Sequence, residues 1–77
     1  MIDIEKQLGR RVRSRRRLLG LTQQDLAESI GVRCQQVSKW EIGFNQMTAS
    51  RLFAVSQALE VPVSYFFAGL EDHQEAA

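Results

Sequence analysis

Residues 23 to 42, QQDLAESIGVRCQQVSKWEI, decide how this chain folds. Leu26, Ile30, Val32, Val37 and Trp40 are apolar, Ala27 is small, and Gly31 divides the stretch into two segments too short to stand as independent helices. The pattern predicts helix, tight turn, helix. Thr22 followed three residues later by Asp25 supplies a capping box for the first of these helices, with the threonine oxygen accepting from a backbone N–H that has no intrahelical partner. Gly31 ends that helix, because a residue without a Cβ takes the positive φ from which the chain turns steeply into the next one. Ala27 is expected where the two helices touch, since a small side chain lets them cross closely.

Working outward, a first helix is expected from Ile4 to Leu19, with Ile4, Leu8, Val12 and Leu19 on one stripe and Gly20 closing it. At 100° per residue Arg10, Arg13 and Arg17 fall opposite that stripe. Arg11 and Arg16 flank it, and Arg15 lies near its centre. A buried unpaired guanidinium is costly, so the Arg15 stem should pack on the core margin while its head reaches water, an acid or a phosphate. The second helix, Thr22 to Ile30, turns Leu26, Ala27 and Ile30 inward and leaves Gln24, Glu28 and Ser29 outside. The third, Cys34 to Glu41, turns Val37 and Trp40 inward. Its outer face then carries Arg33, Cys34, Gln35, Gln36, Ser38 and Lys39, which is short of acids and rich in groups that pair with base edges. Thr48 opens a fourth helix to Leu59 that packs Leu52, Val55 and Leu59, with Phe53 alongside. Pro62 marks the start of a fifth carrying Val63, Phe66 and Phe67.

The chain has 77 residues, enough for one domain near the lower size for a core without staples, and its 44% hydrophobic content makes that core feasible. One cysteine excludes an internal disulfide, and no clustered Cys or His offers a metal site, so helix packing must carry the stability. The opening MIDIEKQ has no apolar run, and neither a secretory signal nor a membrane span is expected. The net charge is only +1, but all ten Lys and Arg lie within residues 6–51 against three acids there, Asp25, Glu28 and Glu41. A basic module with acidic ends suits a polyanion on one face. Catalysis is not expected: there is no carboxylate and base paired on one face, no Gly-rich phosphate loop and no metal set, and the five glycines are dispersed as helix punctuation.

The spacing within residues 23–42 resembles the helix-turn-helix of the lambda-repressor and Cro-like (Xre-type) DNA-binding family. The likeness runs from Leu8 to Phe67, through LGRRVRSRRRLLGLTQQDLA, WEIG and ALEVPVSYFF. It implies an all-α, compact five-helix bundle in which helices 2 and 3 form the motif, with a domain over residues 1–70; residues 71–77, EDHQEAA, are acidic and without pattern, so a disordered tail holding a lone, inert His73 is expected there. It also implies that helix 3 enters the major groove of double-stranded DNA. Residue-to-residue match gives Cys34, Gln35 and Lys39 base-facing positions and makes Arg33 the cap. Relatives commonly cap here with Ser or Thr, and Arg33 cannot accept from the helix N–H groups, so a phosphate would have to take over that role. Gln23 would grip a phosphate from the first turn of helix 2. Arg16 would form a partly buried ion pair with Glu41, locking helix 1 to the end of helix 3.

The remaining phosphate contacts are assigned to Arg13, Arg15, Asn45, Gln46 and Arg51, the loop after helix 3 having no basic residues. A redox role for Cys34 would need a resolving thiol, which a single cysteine does not supply. The apolar end, Val61, Val63, Tyr65, Phe66, Phe67 and Leu70, is open to two readings. It caps the monomer core, or it forms a symmetric homodimer contact that sets two recognition helices roughly 34 Å apart. The expected function is a cytoplasmic, sequence-specific transcriptional regulator, a repressor, with no cofactor and no small-molecule ligand. The alternatives are a restriction-system controller, an antitoxin-type autoregulator, or a protein-interaction module on the same fold.

Overall fold

The computed structural model describes residues 3–70; the expected acidic tail and His73 lie outside the described residues. Four α-helices, α1 (Ile4–Leu18), α2 (Gln23–Ile30), α3 (Cys34–Glu41) and α4 (Ala49–Ala58), are followed by a 3-10 helix over Val63–Phe67. Each start has a local cause. The Asp3 carboxylate accepts from the Lys6 N–H, Thr22 and Asp25 exchange both bonds of a capping box, and the Thr48 hydroxyl accepts from the Arg51 N–H. Among the four α-helices of the described residues, α3 alone begins without a side-chain cap, at Arg33; the 3-10 helix also lacks one, at Pro62. Gly31 closes α2 in the left-handed region at φ 74°, and Val32 N–H then reaches back to the Ala27 carbonyl.

Leu8 and Val12 from α1, Leu26 and Ala27 from α2, Val37 and Trp40 from α3, and Leu52, Val55 and Leu59 around α4 make one core, which Phe66 and Leu70 complete. Ala27 is fully buried, as close crossing of α2 and α3 requires. No helix among the described residues is long and apolar enough to cross a membrane.

Four sequence expectations change. The fifth helix is not α-helical: five residues cannot complete two α turns, and pieces this short are where i→i+3 bonding is used. Phe53 does not pack alongside the core but stands 58% exposed, because Leu52 and Val55 already fix the buried face of α4. Arg15, half-buried, does not turn to an acid; its Nε donates to the Leu59 carbonyl at 2.9 Å and its guanidinium lies over the Tyr65 ring. Gly9 is not punctuation. It is buried in mid-α1, where a Cβ would sit 2.7 Å from the Glu41 carbonyl oxygen, so its missing side chain is what lets α1 lie against the end of α3.

Arg11 acts on the C-terminal segment as Arg15 does, donating through Nη1 to the Phe66 carbonyl at 3.4 Å and to the Ala68 carbonyl. Two arginines of α1 thus hold the end of the described chain through backbone acceptors.

Candidate nucleic-acid interface

The exposed face of α3 lies between two open clefts, and no acidic side chain lines either one. The first joins Arg33, Gln35, Gln36 and Lys39 to Gln46, Thr48 and Arg51 at the entrance to α4. The second joins Cys34 to Arg13, Arg16 and Arg17 of α1 and to Thr22, Gln23 and Gln24 at the start of α2. Guanidinium, ammonium and amide groups therefore surround α3 on both sides. Such groups donate to phosphate oxygens, and Gln and Lys also address adenine and guanine edges.

The six residues expected on the reading face do not form one group. Arg33, Gln35, Gln36 and Lys39 share the first cleft, the half-buried Cys34 thiol faces the second, and half-buried Ser38 lines neither. Among the expected phosphate contacts, Arg13 and Gln23 share the second cleft while Gln46 and Arg51 share the first. Asn45 is half-buried, its N–H directed at the Lys39 carbonyl, and lines neither cleft. Arg15 is turned toward Leu59 and Tyr65 instead. Arg17, Gln24 and Thr48 also line the clefts, and the sequence reading does not count them among the contacts. Arg17 follows Arg13 by one helical turn, and Thr48 carries a recognisable cap, so both were open to detection.

Behind this face the structure brings Arg16 and Glu41 together. Arg16 Nε and Nη2 donate to the two Glu41 carboxylate oxygens at 2.6 and 3.0 Å, and Nη1 donates to the Leu21 carbonyl at 2.7 Å. Both residues are buried, at 8% and 5% exposure, so the pair substitutes for water on each charge. The hydrogen bond from the guanidinium to Glu41 raises the Arg16 pKa above its ordinary value, against the opposing effect of burial. Gln23 Nε2 joins the same carboxylate at 3.0 Å. At the far end of α3 the Lys39 ammonium lies over the exposed Phe44 ring at 5.9 Å, while the Phe44 N–H closes the turn on the Lys39 carbonyl.

Residues 12–66 match the family model described as Helix-turn-helix. The chain is 48% identical over 68 residues to an uncharacterised transcriptional regulator in the ATPase CF(0) region of Rhodospirillum rubrum, covering 88% of this chain and 63% of that protein. It spans about half the length of several other curated relatives, at 46–48%. Among solved structures, the clp gene regulator ClgR from Corynebacterium glutamicum superposes with a TM-score of 0.83 at 30% identity, covering 95% of this chain and 81% of that one. The restriction-modification controller protein C.AhdI from Aeromonas hydrophila gives 0.78 at 26% identity, covering 80% and 94%.

Proposed function

The chain belongs to the helix-turn-helix family, and on that footing we propose that it is a sequence-specific DNA-binding transcriptional regulator. The observation that carries the reading is the uncovered polar face of α3 between two clefts without a lining acid. Arg13, Arg17 and Gln23 on one side and Gln46 and Arg51 on the other hold sugar-phosphate oxygens, fixing the register of α3 in the major groove. Gln35, Gln36 and Lys39 then address base edges. Arg33 begins α3 without a side-chain cap, so the free first-turn N–H groups and the guanidinium together favour a phosphate there.

The finer reading is a repressor acting as a homodimer on a palindromic operator, with Val63, Tyr65 and Phe67 at the contact. Phe66 and Leu70, also expected at that contact, are 0% and 3% exposed within one copy and have no surface left to give a partner. Likeness to a restriction-modification controller over most of both chains supports a second reading, a small autoregulator of such a system.

Selection of bound sites from a random duplex pool tests the proposal. An enriched inverted repeat with half-site centres about one helical turn apart is the expected result. Recovery of no preferred sequence would defeat it.

A further inference from the structure

Glu41 lies at the C-terminal end of α3 and Gln23 in the first turn of α2, yet their side chains meet at 3.0 Å. A carboxylate only accepts, so it is the nitrogen side of the Gln23 amide that faces Glu41. With one N–H committed, the swing of the amide is restricted, and its second N–H lies about 120° from the first. Glu41 cannot swing away to release it, because Arg16 grips both carboxylate oxygens and is itself tied to the Leu21 carbonyl just ahead of the α2 cap. The capping box uses the Asp25 N–H, which leaves the Gln23 and Gln24 N–H groups at the positive end of α2 beyond the reach of any intrahelical carbonyl. An amide of restricted swing, two free backbone donors and the guanidinium groups of Arg13 and Arg17 therefore border one cleft.

We propose that Glu41 is a positioning residue for the Gln23 amide, presenting it to a DNA phosphate, so that the buried ion pair belongs to the DNA contact as well as to the fold. This rests on Gln23 being a phosphate contact, as read above. Pre-orientation removes the cost of ordering a flexible glutamine at the moment of binding.

The test compares wild type, Gln23→Ala, Glu41→Gln and the double variant on a random-sequence duplex across a KCl series, at a temperature where melting curves show each to be folded. Each single variant is expected to weaken binding about 10-fold, as for loss of one hydrogen bond to a charged group. The double variant should be no weaker than Gln23→Ala alone. The slope of log affinity against log salt should stay at the wild-type value in all four, because no cationic phosphate contact is lost. Additive losses, a silent Glu41→Gln, or a reduced slope in Glu41→Gln would overturn the positioning role. If Glu41→Gln does not fold, Gln23→Asn serves: its amide is one methylene too short to hold Glu41 and reach a phosphate together, so it should lose as much as Gln23→Ala, and unaltered binding overturns the proposal. Wild type that shows no salt-dependent affinity for duplex would instead sink the DNA-binding reading itself.

Discussion

Glu41 is 5% exposed, so its carboxylate is held by the groups that donate to it rather than by water. Arg16 supplies two of those bonds and receives the same protection in return. Glu41→Ala strands a guanidinium in a place that was built for an ion pair, and the loss should be about 3 kcal/mol, at the low end for breaking such a pair. A domain of this size has a stability of the order of 5 kcal/mol, so a urea midpoint roughly halved is the expected result, and an unchanged one would show the pair to be ornamental. Gly9 makes the opposite point about intuition. Alanine in a helix interior is ordinarily better than glycine by about 0.5–1 kcal/mol. Here the added Cβ meets the carbonyl oxygens of Trp40 and Glu41, which are backbone and cannot rotate away. Gly9→Ala should therefore destabilise by about 2 kcal/mol, the range for overpacking, and denaturant unfolding reads the sign directly.

The helices differ in how their ends are satisfied, and the difference tracks what each end does. The α2 start is closed by Thr22 and Asp25, whose carboxyl is held below its ordinary pKa by the Thr22 backbone N–H and hydroxyl. A lowered folded-state pKa means that this contribution is present above the ordinary value of 3.8 and disappears as pH falls through the lowered one. The melting temperature of wild type should thus fall more steeply below pH 4 than that of Asp25→Asn, which has no such carboxyl to protonate. The α3 start has no side-chain cap. Arg33→Ser should stabilise the free protein by about 1 kcal/mol while weakening DNA binding, since it supplies the missing acceptor and removes a cation from the first cleft. Thermal melting and a duplex titration on the same variant separate the two effects. What the sequence disclosed follows the same division. Thr22, Asp25, Gly31 and Thr48 act on backbone a few residues away, so the limits of α2, α3 and α4 were legible from spacing. The role of Gly9 and the carbonyl bonds of Arg11 and Arg15 were not, because they join positions dozens of residues apart with no complementary residue type to flag them. A guanidinium that ends on a main-chain oxygen looks, in sequence, like one free for phosphate.

For the whole molecule, four of the six arginines of α1 form two working sets, apart from Arg16 in its ion pair. Arg13 and Arg17 face the cleft beside α2 and α3, whereas Arg11 and Arg15 fasten the segment from Leu59 to Ala68. The same rigid helix therefore carries the proposed phosphate contacts on one side and the proposed dimer segment on another, so the spacing between two recognition helices would be fixed through α1 rather than left to a hinge. Phe66 and Leu70 anchor that segment from beneath, and Tyr65 and Phe67 remain 38% and 36% exposed on it. Tyr65 also covers Arg15, which makes Phe67 the cleaner position to alter. Phe67→Glu replaces a ring that is only 36% exposed, so a dilute monomer should lose about 1 kcal/mol of stability and still fold. In a symmetric contact, however, two carboxylates would face each other across the axis and both would need desolvation. Affinity for a single half-site should then equal that of wild type, while affinity for the inverted repeat should drop to twice-independent half-site binding. If the variant binds the full repeat as tightly as wild type, the pairing surface lies elsewhere on the molecule.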